Sequence, residues 1–375
     1  MGKPRGLPHS RENQTSPAGV ERRDFLKVCT MAAAALGLPA WTAEVWAEAA
    51  AKGLKPSVIW LHFQECTGCT ESLLRTSHPT VQELILDLIS LDYCETLFAA
   101  AGYQAEEALH AAMEQNAGKY ICVIEGAIPV KDDGIYCKIG GKTALQIVNE
   151  VADKAGAIIA IGSCASWGGI PSTPPNPTGS TGAPEVLKGK TVVTIPGCPS
   201  NPYNFLGVAL QYATFGTLPA LDKLARPMFA YGRVIHEDCP RRPHFDAGRF
   251  AQQFGDEGHR LGYCLYKLGC KGPVTHANCS LQPFGEVPGA WPIGTGHPCV
   301  GCTERHIVFE TPIHTTVEID RPTPPDVYPP IKADHGAVSP VATGVAGLVG
   351  GALIGAGLMA SKKLMAEDKA GAGEE

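Results

Sequence analysis

The sequence predicts an α/β protein: a doubly wound parallel sheet, then a loop-rich segment dense in candidate metal ligands, then one C-terminal transmembrane helix. Three observations carry this. Up to residue 224, short and continuously apolar runs alternate with segments of helical periodicity, the signature of strands covered on both faces. Past that point regular patterning thins, and six of the 14 cysteines crowd between Cys239 and Cys302. Finally, residues 337–360 contain no charged side chain, over about the length that crosses a bilayer.

The 375 residues allow two compact domains plus appendages, and 43 Gly with 31 Pro point to much irregular structure. A net charge of −6 with no basic stripe excludes nucleic acid as a partner. The cysteine count favours cofactor ligation in a chain of this size, while an exported protein keeps a disulfide framework open.

Val58 to Phe63, bounded by Pro56, reads as the opening buried strand. The chain then turns through Thr67 and Gly68, which puts Cys66 and Cys69 on one loop at CxxC spacing. Thr80 to Leu91 has helical spacing at Val81, Leu84, Ile85 and Leu88. Tyr120–Gly126 is the next predicted strand and Thr143–Ala152 a helix. Ala157–Ile161 is a strand ending in Gly162-Ser163-Cys164, and Thr191–Ile195 another ending in Pro196-Gly197-Cys198. Asn201–Tyr212 follows as a helix, and the pattern as a whole is flavodoxin-like. Cys66, Cys69, Cys164 and Cys198 therefore each lie just beyond a predicted strand's C-terminal end, the edge where open α/β sheets bind ligands. Four thiolates there suffice for a 4Fe–4S cluster or a structural zinc, and the spacing does not separate the two.

Both ends carry addresses. Residues 1–49 read as a signal peptide: Arg22-Arg23 within ERRDFLK is a twin-arginine motif, followed by the apolar run Val28–Trp41 and a small-residue ending at Ala49. Residues 321–336 form a Pro-rich, stiff linker. The segment 337–360 then places Gly347, Gly351 and Gly355 in GxxxG spacing, and Lys362-Lys363 opens a cytoplasmic tail, 361–375. The body is thus expected outside the cytoplasm on a single-pass anchor. It divides into 50–224, the sheet domain, and 225–320, the ligand-rich domain.

In that second segment six cysteines and His236 fall within 67 residues, too many for one site. They divide into His236, Cys239, Cys264 and Cys270, and a trio of Cys279, Cys299 and Cys302. A three-thiolate set suits a 3Fe–4S cluster, and a set with one histidine suits a 4Fe–4S centre lying near the surface as an electron exit.

The strings WLHFQECTGCTESLLR, VIEGAIP, AIGSCASWGGIP, IPGCPSNP, IHEDCPRRPHFDAGRF, LGCKGP and WPIGTGHPCVGC, with the two terminal segments, resemble the small subunit of exported, membrane-bound NiFe uptake hydrogenases over nearly the whole mature chain. The resemblance implies two 4Fe–4S clusters and one 3Fe–4S cluster forming a wire. Cys66, Cys69, Cys164 and Cys198 would hold the proximal cubane. Cys279, Cys299 and Cys302 would hold the medial 3Fe–4S cluster, and His236, Cys239, Cys264 and Cys270 the distal 4Fe–4S cluster. It further implies a large subunit that carries the nickel–iron site and splits H2. Electrons would leave near His236 to a membrane acceptor, a cytochrome b or a ferredoxin-like subunit with a quinone-binding membrane protein. Oxygen-tolerant members add two cysteines around the proximal cluster; Gly68 and Gly169 stand there in this chain, so the expected enzyme is oxygen-sensitive.

Other residues receive blander readings. Glu65 and Glu125 can handle protons, but capping of loops or pairing with a partner subunit is the preferred reading. Arg233, Arg241 and Arg242 can stabilise reduced clusters by charge, but the preferred reading is solvated or interface arginines; His297 reads as no ligand, and Cys29, Cys94, Cys122 and Cys137 as small apolar residues. The alternative function is an Fe–S adaptor protein of another exported respiratory complex. A disulfide-rich exported binding protein is a third.

Overall fold

Five short runs pair side by side into one sheet: β1 (Ser57–His62), β2 (Ser90–Cys94), β3 (Ile121–Glu125), β4 (Ala157–Ile161) and β5 (Val192–Ile195). A computed structural model describes residues 55–319 except residue 78, together with Leu348, Gly355, Ala356 and Met359. The strand order is β2-β1-β3-β4-β5, and every pair is parallel. This is the order of flavodoxin-like doubly wound sheets, whose ligand crevice opens at the carboxyl ends between β1 and β3, where the winding reverses.

Alternation of side chains along each strand splits the core in two. Val58 and Trp60 of β1 join Val123, Ile159 and Phe205 on one face. Ile59 and Leu61 join Cys122, Ile124 and Val148 on the other. Each such fully buried side chain contributes about 1.5–3 kcal/mol. The helices that cover these faces are α1 (Gly68–Leu74), α2 (Tyr103–Gln115), α3 (Ala144–Asp153), α4 (Gly162–Trp167) and α5 (Pro202–Phe215). A capping box of Thr143 and Gln146 starts α3. Asn201 caps α5, with Pro202 in the first turn. The face that carries α5 continues without a break into the second segment through Ile235, Leu265, Trp291 and Ile293.

That second segment is loop-built, as its composition predicts. Its only α-helical pieces among the described residues are the short Met228–Tyr231, Arg242–Asp246 and Glu257–Arg260. Residues Met1–Pro329 form one compact unit and Pro330–Glu375 another, of which only the four residues named above are described, all helical. The expected signal peptide, linker and tail lie outside the described residues, as does the expected span apart from those four. No helix of the described residues is long and apolar enough to cross a membrane.

Two elements depart from expectation. The helix predicted over Thr80–Leu91 starts as expected, with Thr80 and Glu83 forming a capping box. It then widens into a π turn at Leu84–Leu88, and Ile89 turns extended. Ser90 and Leu91 belong instead to β2, an edge strand whose pairing with β1 outweighs the apolar spacing inherited from the helix before it. Helix α2 was not among the predicted elements, although Leu109, Ala112 and Met113, with Ala105 a turn earlier, form the narrow stripe that it buries.

Candidate metal centres

Thr67 in the left-handed region (φ 60°) turns the chain from β1 into α1, so that Cys66 precedes the helix and Cys69 lies in its first turn. Because His62 and Glu125 are register partners at the ends of β1 and β3, the buried Glu125 carboxylate sits under this turn. Its Oε1 accepts the backbone N–H of Cys69 (3.0 Å) and of Thr70 (3.2 Å). Its Oε2 accepts the Thr70 hydroxyl and the Trp60 Nε1–H at 3.0 Å. Cys164 arrives on α4 and Cys198 on the loop after β5. Gly162, with φ +81°, brings α4 so close that an added Cβ would stand 2.5 Å from Cys69 Sγ, so no other residue fits there. Burial pushes the Cys69 thiol up, with Glu125, Cys164 and Cys198 adding to it. Burial pushes Cys164 up to about 12, with Cys198 and Cys66 adding. The four sulfurs thus share one electrostatic environment in which thiolates need a cation to form.

Cys279, Cys299 and Cys302 line a cavity of about 320 Å³ with Tyr231 and Trp291. Burial pushes Cys279 up to about 12, with Cys302 adding. It pushes Cys302 up to about 11, a rise opposed by the N–H of Cys198 and increased by the Cys198 sulfur. The Cys302 loop is braced from two sides. The buried Arg226 donates to Thr303 O (3.1 Å), Glu304 Oε1 (3.0 Å) and Asp222 Oδ2 (2.7 Å). Ser163, next to Cys164, donates to Cys302 O and accepts from Gly197 N–H at 3.0 Å.

His236, Cys239, Cys264 and Cys270 line a second, much smaller cavity, of about 20 Å³, together with Arg241 and Arg242. His236 stands edge-on to Phe245 at 4.6 Å. Burial, aided by Arg242, lowers its imidazole to about 4, which keeps the ring neutral with a lone pair to offer. Its Nε2 is buried and has no hydrogen-bond partner. Burial pushes Cys239 and Cys264 each up to about 12. Arg242 is not solvated: it is 4% exposed and holds Asp246 at 2.9 Å. Its first-turn position in Arg242–Asp246 faces the side chain inward, which the charge alone does not reveal. Arg241 is half-buried and donates to Tyr263 O, whereas Arg233 is the partly exposed arginine expected, paired with Glu237.

The structure sets Cys66, Cys69, Cys164 and Cys198 near enough to act on one another, lines one cavity with Cys279, Cys299, Cys302 and also Cys198, and lines another with His236, Cys239, Cys264 and Cys270. Cys198 meets Cys302; Cys299 feels Cys270, and Lys271 N–H donates to Cys299 O at 2.8 Å.

Comparison with known proteins decides the family. A family model described as NADH ubiquinone oxidoreductase, 20 Kd subunit, matches residues 66–212. One described as the C-terminal part of the NiFe/NiFeSe hydrogenase small subunit matches residues 231–314. The Hydrogenase-2 small chain of Escherichia coli K12 is 51% identical over 94% of this chain and 95% of its own length. The chain belongs to the NiFe hydrogenase small-subunit family. The quinone-reactive Ni/Fe-hydrogenase small chain of Wolinella succinogenes is 48% identical over 76% of this chain and 81% of its own. The reduced, active Ni-Fe-Se hydrogenase of Desulfomicrobium baculatum superposes with a TM-score of 0.62 at 33% identity, covering 67% of this chain and 94% of that one.

Hydrogenase small subunits carry Fe–S clusters and transfer electrons, and the donors here fit such groups. The orphaned His236 Nε2 and the unbridged thiols are donors of the kind that cluster irons take. All 13 cysteines among the described residues are free, which removes the disulfide-rich reading. In this small subunit Glu125 is the loop cap that the sequence reading preferred. His62, Glu65 and Glu125 stand close enough together to hold an ion. Both Glu125 oxygens are already taken by donors, however, so the trio works as a capping network. Burial raises Glu65 to about 7. His297 turns its Nδ1 to Pro298 O and lies beside Phe254 and His314, outside the cavity lining. Cys94 and Cys122 are core residues. Sequence reasoning missed Ser163, Arg226, Glu304 and Lys271. Only Glu304 carried a signal, an acidic residue two positions after a candidate ligand in GCTE.

Proposed function

We propose that this small subunit serves an exported, membrane-anchored uptake hydrogenase and passes electrons from H2 oxidation to a quinone-reducing membrane partner. Cys66, Cys69, Cys164 and Cys198 would hold a proximal 4Fe–4S cluster. Cys279, Cys299 and Cys302 would hold a medial 3Fe–4S cluster, and His236, Cys239, Cys264 and Cys270 a distal 4Fe–4S cluster. When bound, these clusters supply three one-electron carriers in series. The observation that carries the reading is the contiguity of the ligand groups, proximal to medial at Cys198 and Cys302, medial to distal at Cys299 and Cys270.

The chain's own residues hold and insulate that series. Glu125 fixes the CxxC turn, Ser163 ties Cys164's helix to the Cys302 carbonyl, and Arg226 with Glu304 fixes the loop beyond Cys302. Tyr231 and Trp291 keep water from the medial cavity. His236, backed by Phe245, marks the end from which electrons leave. No four-cysteine nickel–iron site is read in this chain, so the enzyme is completed by a large subunit. The twin-arginine segment and the uncharged span 337–360 support export and anchoring on the outer face of the cell membrane. Similarity to the quinone-reactive small chain of Wolinella succinogenes supports a quinone-linked acceptor. Gly68 and Gly169 in place of extra cysteines support oxygen sensitivity.

The test is H2-dependent dye reduction by washed membranes from strains carrying this chain or Cys66→Ala. Activity retained by membranes and lost in the variant is the expected result. Cluster-loaded membranes that oxidise no H2 after anaerobic reductive activation would favour the adaptor reading.

A further inference from the structure

Lys271 is among the most deeply buried charged residues of the chain, at 1% exposure. It follows Cys270, and its own N–H donates to the carbonyl of Cys299, so it sits between a distal and a medial ligand. Its ammonium is caged by four carbonyl oxygens: Ile313 at 2.6 Å, Thr315 at 2.9 Å, Gly269 at 3.3 Å and Pro312 at 3.4 Å. An ammonium has three donors and no acceptor, so this cage satisfies it as a cation. It forms no ion pair with any carboxylate among the described residues. Burial lowers the ammonium from its ordinary value, and the sulfurs of Cys299 and Cys270 act against that.

A buried cation without a carboxylate is expensive unless other negative charge lies near. Carbonyl dipoles supply part of the compensation, and thiolates bound to clusters supply the rest. The interaction works in both directions. A fixed positive charge in a low-dielectric interior stabilises an electron added to a nearby centre, and so raises its reduction potential. The same ammonium pins residues 312–315 across the loop that carries Cys270, an attachment reinforced by Tyr266 donating to Val317 O.

We propose that Lys271 is a buried counter-cation shared by the medial and distal centres, which raises the potentials of both while latching the 312–315 strap over the gap between them. The proposal rests on the cluster assignment above and adds a residue that ligates nothing.

The experiment is an EPR-monitored redox titration of the purified, cluster-loaded heterodimer of large and small subunits. It compares wild type with Lys271→Gln, Lys271→Met and Lys271→Arg. Glutamine removes the charge and keeps two donors for the carbonyl cage, one bond shorter than lysine, so it gives a second neutral variant where the methionine variant fails to assemble. The expected result is a downward shift of both the medial and the distal midpoint potentials in the neutral variants. The proximal centre stays unmoved, and arginine restores near-wild-type values. Neutral variants that carry all their clusters and titrate with wild type would overturn the proposal. So would an equal shift of all three centres, or an arginine variant that behaves like glutamine. Absence of three distinct centres in the wild type would instead defeat the cluster assignment on which the proposal rests.

Discussion

Replacing Glu125 with Gln isolates the contribution of one carboxylate to the CxxC turn. In the native turn Oε1 accepts two backbone N–H groups, while Oε2 accepts the Thr70 hydroxyl and the Trp60 indole N–H. A glutamine keeps its oxygen for the two backbone donors and presents its amide to the other pair. The Thr70 hydroxyl can rotate to accept from that amide, but the Trp60 N–H cannot, and a buried unsatisfied donor costs about 1–3 kcal/mol. Loss of charge removes roughly 1 kcal/mol from each remaining backbone bond. Relief from burying a charge offsets part of this, leaving a net loss of about 2–4 kcal/mol. At about 2 °C per kcal/mol for a chain of this size, calorimetry of the intact heterodimer should show the small-subunit transition fall by roughly 4–8 °C, with the first centre's EPR signal perturbed. A variant with full iron content and a Tm within about 1 °C of wild type would refute the view that Glu125 holds the turn.

Three further outcomes follow from the geometry. Arg226→Met strands the buried Glu304 and half-buried Asp222 carboxylates and should cost about 3–5 kcal/mol, with part recovered in an Arg226→Met/Glu304→Gln double variant; additive losses in that cycle would count against the coupling. Burial alone would raise Glu304, but hydrogen bonds from His276 and the charge of Arg226 hold it below its ordinary value, so its contribution is present above about pH 4.5 and lost as pH falls. Glu95 runs the other way: burial raises it to about 7, so the folded chain binds the extra proton and stability declines as pH climbs from about 4.5 through 7. Glu95→Gln should match wild type near pH 5 and exceed it by roughly 2–3 kcal/mol near pH 8; parallel pH profiles of Tm would sink this. Gly162→Ala places a Cβ against Cys69 Sγ at a positive φ and should lose iron from the first centre selectively, which iron and sulfide analysis with EPR reads.

The placement of the candidate ligands was legible because topology fixes where the chain delivers its cysteines. β1, β4 and β5 announce themselves as uninterrupted apolar runs, and the cysteines after them share one edge by the geometry of parallel sheets. Glu125 was visible as a cap because it ends a strand beside the CxxC turn. Less legible was β2, whose apolar residues extend the helical spacing of the segment before it. Lys271 and Arg226 were hidden for a different reason. A lone Lys or Arg in a loop has the composition of surface, and only the approach of carbonyls 40 and more residues away in sequence, as at Ile313 and Thr315, makes it interior.

The second segment poses a folding problem that its ligands solve. Its helices run to five residues at most, too short to be stable on their own, and its connections are held by single side chains: Lys271 on the strap, Arg226 on the Cys302 loop, Ser163 across to α4. Such a lattice has little of the cooperative hydrogen bonding that keeps the five-stranded sheet together. Metal binding at thiolate sites is itself folding free energy, so the two halves of the body should differ in their dependence on iron. Oxidative chelation of iron from the heterodimer, followed by limited proteolysis, should open cleavage sites within residues 225–319 well before any within 57–215. The native, cluster-loaded heterodimer should resist in both. Early cleavage in the sheet, or protection of the second segment after iron loss, would mean that apolar packing through Ile235, Leu265 and Trp291 suffices to hold it without its centres.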